Sequence, residues 1–404
     1  MMLAVVAVQG AAYIFQVIVA ALLSPADFGL VRSVDAVLAL LVIVGSIGMP
    51  SLSVKCLAEV DDVGQRGALL MRLILIAAAT GLSVASAAWI LAPWLVGGTA
   101  VFYLEHLVWI VPLAACARTT LNYYQGTRQI PVYAALSASM AIAVLPLALL
   151  AVAVGGLSGW VWARYGTEAA TLVVALVPLA GVLRSRGQLA AVYSFHRLTR
   201  VGGVLGLSLL ARTSLDSLGT LALIAIGTPT TQIGYYGVGV LAVMGLLILP
   251  ACVGNIALPR LARAFRDPTA LRSAFYRTVS VCLVLTLPLS SLGIISAPLL
   301  VQHLIPSYGA SIPIIQILLM TVWARAVTMV SGTLLVAADQ GDATLIANLV
   351  ILAAGVAAML SVAPHFDVVG VAYTTVGVEF ASAIIYGLLA ARTLNACPRP
   401  AHRD

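Results

Sequence analysis

The sequence predicts an all-α polytopic membrane protein of about twelve transmembrane helices in two six-helix lobes. Three observations carry this. Of 404 residues, 62% are hydrophobic and 9% charged, where soluble domains carry roughly 25% charged residues. The apolar residues come in runs of about 20, the length a helix needs to cross the hydrocarbon core. The two halves of the chain also repeat each other's marks.

Apolar runs between polar breaks place spans one to six at residues 3–23, 28–50, 69–95, 103–124, 131–154 and 157–183. Spans seven to twelve fall at 201–226, 235–259, 274–299, 312–338, 344–362 and 368–392. The first run has no basic lead and no small-residue cleavage site, so it reads as a spanning helix and not as a signal peptide.

Lys and Arg concentrate in cytoplasmic loops. With both termini inside, one set of loops and flanks holds Lys55, Arg66, Arg72, Arg128, Arg184, Arg186, Arg197, Arg200, Arg260, Arg263, Arg266, Arg272 and Arg277. The tail adds Arg392, Arg399 and Arg403. The opposite loops, around Pro25, Gly98, Gly156, Pro229, Pro306 and His365, carry no Lys or Arg and are too short for an extracytoplasmic catalytic domain. Trp89, Trp94, Tyr103, Trp160 and Tyr308 lie near the outer ends, where an interfacial aromatic belt is expected.

Gly159, Gly166 and Glu168 in span six recur as Gly370, Gly377 and Glu379 in span twelve at one offset: 370−159, 377−166 and 379−168 each equal 211. Phe28-Gly29 matches Tyr236-Gly237, and Pro50 matches Pro259. Spans four and ten fit two offsets, Arg118 with Arg325 giving 207 and Gln125 with Gln340 giving 215. An even number of spans per half makes the repeat parallel, with its axis along the membrane normal and a cavity expected between the lobes. The expected organisation is a lobe at 1–183, a cytoplasmic linker at 184–200, a second lobe at 201–395 and a cytoplasmic tail at 396–404.

An ionised side chain at the bilayer centre costs about 2.5–3.5 kcal/mol on the insertion scale, so each faces protein or water and marks a site. Setting aside Arg72, Glu105, Arg277 and Arg392 at span ends, nine lie within the spans, five arginines against four acids. Arg32 with Asp35, Arg164 with Glu168 and Arg212 with Asp216 sit three or four residues apart and can neutralise each other along one helix. Arg118, Arg325 and Glu379 have no such neighbour on their own helices, and Arg325 reads first as lining a wet cavity and second as a structural partner of Glu379. The excess of guanidinium, which binds phosphate bidentately, favours an anionic cargo. Tyr123, Tyr124 and Trp323 nearby read mainly as packing residues, with stacking on a sugar as the second reading. Glu168 and Glu379 are the expected protonatable groups for coupling.

Several chemistries lack their residues. Cys56, Cys116, Cys252, Cys282 and Cys397 are isolated and read as packing, and the five histidines form no triad or zinc spacing. No catalytic residue, metal or cofactor is expected. Lys55 is the only lysine and follows Val54, so there is no P-loop. The net charge of +7 is spent on sidedness and not on a basic nucleic-acid patch.

The run Leu-Leu-Ser-Pro-Ala-Asp-Phe-Gly-Leu-Val at 22–31, Gly48-Met49-Pro50 and Leu57-Ala58-Glu59 open a longer series. It continues through Asp216, Ile233-Gly234-Tyr235-Tyr236, Pro259-Arg260-Leu261, Ala337-Ala338-Asp339-Gln340-Gly341 and Val369-Gly370-Val371-Ala372-Tyr373. As an ordered set these resemble the Wzx-type O-antigen flippases, the polysaccharide transporter family of the multidrug/oligosaccharidyl-lipid/polysaccharide superfamily. The resemblance implies alternating access, with an undecaprenyl-diphosphate-linked oligosaccharide carried from the inner to the outer leaflet of a bacterial inner membrane. It implies a cationic cavity at Arg32, Arg118, Arg212 and Arg325, coupling acids among Asp35, Glu168, Asp216 and Glu379, and a polysaccharide polymerase and glycosyltransferases as partners beside membrane lipid. Span one and span eight lack the arginines of lipid II flippases, the two extra helices of those proteins are missing, and the uncharged N-terminus suggests a truncated start. The alternatives are a drug or organic-cation antiporter of the same superfamily and a membrane-embedded polysaccharide polymerase.

Overall fold

The computed structural model describes residues 2–184, 194–265, 267–338 and 340–396. Arg186, Arg266, Asp339, Cys397, most of the expected linker and nearly all of the expected tail lie outside the described residues. The described chain forms α1 (Met2–Leu22), α2 (Pro25–Ser46), α3 (Met49–Ala58), α4 (Val63–Leu95), α5 (Ala100–Leu107), α6 (Ile110–Gly126), α7 (Ile130–Leu176) and α8 (Ala180–Arg184). It continues as α9 (Phe195–Ala225), α10 (Thr230–Ala264), α11 (Pro268–Leu304), α12 (Ile312–Leu319), α13 (Thr321–Ala337) and α14 (Gly341–Ala396).

Among the described residues nine helices are long and apolar enough to cross a membrane, and α5 with α6, bent by 47°, makes a tenth. One of the others resolves further, while the two halves of α14 are already two of the nine. The stretch Ile130–Arg184 has 55 residues, about 80 Å as one helix, more than twice the hydrocarbon thickness. It breaks at Gly156, φ 55 and ψ −129, a conformation that only glycine adopts without strain. Gly159 then packs against the backbone of Ala151, which sets the two segments back to back. The 56 residues of α14 break in the same way at Asp367, φ 50 and ψ −152, with Gly370 against Phe366 and Val362. Since 367−156 is again 211, the turn belongs to the repeat. The protein is a multi-pass, all-helical membrane protein.

The chain divides into two compact units. The first holds Leu3–Leu23 and Leu30–Ser217, the second Ser24–Gly29 and Leu218–Asp404. Local packing explains why the division falls inside α2 and α9. Gly202 of α9 seats on the backbone of Ile47 and the side chain of Met49. Further along, Gly219 meets Tyr236 and Thr375. The first turn of α2 approaches α10 closely, with Gly29 on Thr230 and Gly234 on Pro25, an approach that small residues permit.

Each unit has an apolar core. In the first, Met49, Leu52, Leu57, Leu69, Leu70, Leu73, Tyr123 and Tyr124 pack together. In the second, Leu261, Leu271, Phe275, Cys282, Val330 and Leu334 do so. Trp89 and Trp94 are exposed, as belt residues would be, but Trp160 and Tyr308 are fully buried. The belt expectation fails there because Tyr308 is held edge-on by the rings of Phe28 and Tyr235, both centroids at 6.2 Å.

Candidate functional site

The intramembrane charges are wired between helices more than along them. Arg164 of α7 reaches Asp35 of α2 at 3.1 Å, and Glu168 takes Arg118 of α6 at 3.9 Å. The expected pairings of Arg32 with Asp35 and of Arg164 with Glu168 are thus replaced by cross-helix pairs, because buried charges select the best-solvating neighbour and not the nearest in sequence. Arg32 donates to Oε1 of Gln16 on α1 at 3.2 Å. Arg212 keeps its expected neighbour Asp216 at 3.3 Å.

In the second unit, the Arg325 guanidinium grips Glu379 with two donors, Nη2 at 2.6 Å and Nε at 2.8 Å, both to Oε1. Their side chains are 12% and 6% exposed. The first unit holds the counterpart in open form, since Arg118 is 51% exposed while Glu168 is 15% exposed. The same two repeat helices therefore carry one closed pair and one accessible guanidinium.

This geometry also resolves the register of spans four and ten. The bounds of α6 and α13 are related by 321−110 and 337−126, both 211, midway between the two sequence offsets. The arginines, at 207, differ from that by four residues, one helical turn, so they share a face and reach equivalent glutamates.

Tyr123 and Tyr124 are core residues, with the Tyr124 hydroxyl donating to the Ala175 carbonyl at 3.0 Å. The Trp323 indole N–H donates to the Ser290 hydroxyl. These contacts give Tyr124 and Trp323 packing roles within their units. Cys56, Cys116 and Cys282 are buried.

Sequence reasoning overlooked a set of neutral polar residues in the second unit. Tyr236 hydroxyl bonds Thr375 at 3.0 Å, Tyr386 donates to Asn348 at 2.7 Å, and Thr393 donates to Gln340 at 3.0 Å. The signal was present in the spacing of Thr375, Glu379, Ser382, Tyr386 and Thr393, but hydroxyls barely register beside charges in a hydropathy reading.

Residues 18–311 match the family described as polysaccharide biosynthesis protein. No curated protein matches. Among solved structures, the lipid II flippase MurJ in an inward closed conformation superposes with TM-score 0.74 at 10% identity, covering 98% of this chain and 89% of that one. An inward-facing multidrug resistance MATE transporter of the MOP superfamily gives 0.73 at 14% identity over 96% and 95%. The Vibrio cholerae MATE transporter VcmN gives 0.64 at 14% identity over 98% and 95%. At such identities the likeness establishes the fold. With well over half of its length matched, the chain belongs to the polysaccharide biosynthesis protein family and has the fold of the MOP-superfamily transporters.

Proposed function

We propose that this protein flips an undecaprenyl-diphosphate-linked oligosaccharide from the inner to the outer leaflet of a bacterial inner membrane, by alternating access, for O-antigen or related surface polysaccharide assembly. The observation that carries the reading is the state of the intramembrane acids. Asp35, Glu168, Asp216 and Glu379 are each engaged by an arginine. An organic cation needs a carboxylate without an internal counter-ion, whereas a diphosphate needs an accessible guanidinium. Arg118, half exposed and loosely held, offers one. Arg32 and Arg212 complete the cationic set of the first unit, and Arg325 is the reserve of the second.

Membership of a polysaccharide biosynthesis family agrees with a sugar-bearing cargo, and the MurJ fold with a lipid-linked one. The MATE folds fit the antiporter reading equally well as folds, but not with its charge requirement. Partners in this reading are membrane lipid, the polymerase that consumes the exported units and the glycosyltransferases that build them. Deleting the gene tests it. Lipid-linked repeat units should accumulate and remain inaccessible to an added lectin in sealed spheroplasts. Surface polysaccharide lost with accessible single units would point to a polymerase instead.

A further inference from the structure

The end of the second unit where α11 begins and α14 finishes carries two arginines on one exposed surface. Leu271 and Phe275 of α11 and Ala390 and Leu394 of α14 belong to the same apolar core. Arg272 and Tyr276 each follow one of the buried α11 residues, lie four apart and so share a face, and both are exposed. On α14 the exposed residues Leu388, Arg392 and Asn395 come at steps of four and three, again on one face. Nη2 of Arg272 donates to Oδ1 of Asn395 at 2.8 Å, which brings the two faces together.

That bond orients a guanidinium without neutralising it, because an amide carries no charge. Arg392, one helical turn from Asn395, has neither a hydrogen bond nor an ion pair among the described residues. Since α11 runs away from this end and α14 runs into it, Tyr276 lies one turn deeper than Arg272 and Leu388 one turn deeper than Arg392, about 6 Å of rise in each case. Both are 60% exposed. Two cations without acid partners thus stand at the rim, with apolar side chains directly beneath them.

Sidedness alone does not account for this pair. Asp62 caps α4 as Asp267 caps α11, and 267−62 equals 277−72, both 205. Arg72 and Arg277 are therefore one cation kept by both repeats, as orientation requires. At the same offset Arg272 matches Gly67, and at the 211 of span twelve Arg392 matches Gly181, with Arg184 at the place of Asn395. Two arginines joined through an amide are an addition of the second unit. Its other charges at this end are Arg260, Arg263 and Arg277 against Asp342 and Asp267, the latter occupied as a cap.

We infer that this surface binds an anionic phospholipid, with Arg272 and Arg392 holding the headgroup phosphate and Tyr276 and Leu388 lying along its acyl chains. Guanidinium forks match phosphate oxygens in charge and donor geometry, and basic sites where spanning helices meet the headgroups take anionic lipids. The apolar side chains one turn deeper are covered by acyl chains, which neither a free phosphate nor an acidic peptide would supply. The inference does not rest on the cargo proposed above.

Its test is native mass spectrometry of the purified protein in micelles holding equal amounts of phosphatidylglycerol and phosphatidylcholine with the same chains. Wild type should retain phosphatidylglycerol over phosphatidylcholine by roughly tenfold, and Arg272→Gln with Arg392→Gln should abolish the preference. Arg260→Gln with Arg263→Gln removes the same charge from the same end and should leave the preference within about twofold of wild type. Arg392→Gln, which breaks no internal bond, serves if the first double variant does not fold, and should lower the preference at least about threefold. No preference in the wild type would overturn the inference. Equal losses in the two double variants would overturn it in favour of diffuse charge. Displacement of phosphatidylglycerol by added inorganic phosphate or by undecaprenyl diphosphate would overturn it as well, by giving the surface to a free anion or to the cargo.

Discussion

Arg325 and Glu379, 54 residues apart in sequence, form a two-donor ion pair at 2.6 and 2.8 Å in the interior of the second unit. Arg118 and Glu168 form the corresponding pair in the first unit at 3.9 Å, with the guanidinium half exposed. A duplicated helix pair has thus diverged into a closed lock and an open cation.

The lock should behave as a structural couple. Removing one partner of a buried pair costs about 3–5 kcal/mol because the other charge is stranded. Arg325→Ala and Glu379→Ala should each lower abundance and thermal midpoint, and the double variant should be milder than their sum. Thermal-shift measurements on the four proteins close the cycle.

The open cation should behave oppositely. Arg118→Ala should leave abundance and melting near wild type yet reduce flipping by roughly ten- to a hundredfold, the scale of one charged hydrogen bond of about 1.5–3 kcal/mol. Arg118→Lys should recover part of this, since it keeps the charge and loses the fork. Flipping rate against expression level is the comparison to make.

The turn at Gly156 and its repeat counterpart Asp367 invite reciprocal substitutions. Gly156→Ala places a side chain at φ 55 with open space around it, so the cost is backbone strain alone, about 1–3 kcal/mol. Asp367→Gly relieves the same strain and should raise the thermal midpoint or leave it unchanged. A lower midpoint for Asp367→Gly would mean that its side chain holds the turn.

Asp267 caps α11 from outside the membrane, accepting from the Thr269 N–H at 2.9 Å and hydroxyl at 2.7 Å. The Thr269 hydroxyl, followed by backbone N–H groups, holds its carboxyl below the usual carboxylate value. A depressed folded-state pKa contributes stability that is present at neutral pH and lost as pH falls through the acid range. Asp267→Ala should therefore lower the midpoint at neutral pH, and the gap should narrow on acidification.

The expected sidedness has its own test. Cysteines at Gly98, Pro229 and His365 should label with impermeant reagents from outside, and one at Arg263 should not. The reverse pattern would invert the topology.

The helices were legible because hydropathy alone decides which segments enter lipid, and Glu168 and Glu379 were legible because a charge in an apolar run stands out. Arg325 as the partner of Glu379 was the second reading the sequence offered, whereas Arg118 as the partner of Glu168 was not foreseen. Arg164 could be matched to Glu168 by helical spacing, yet it folds onto Asp35, a choice fixed by how α2, α6 and α7 pack. Tyr308 looked interfacial by its loop position and is buried by rings from Phe28 and Tyr235, far away in sequence. Gln16, Asn348, Ser331 and Ser382 gave no signal, since a single amide or hydroxyl is cheap enough in a helix to pass as filler.

The proposed cargo is an anionic lipid-linked sugar and not an organic cation. The direct measurement is on purified protein in proteoliposomes, following a fluorescent undecaprenyl-diphosphate oligosaccharide by the quenching of outward-facing label, with a cationic dye followed in parallel. The labelled lipid should cross at a rate that Arg118→Ala reduces, while dye uptake stays at the level of empty liposomes. Dye transport with no movement of the labelled lipid would contradict it.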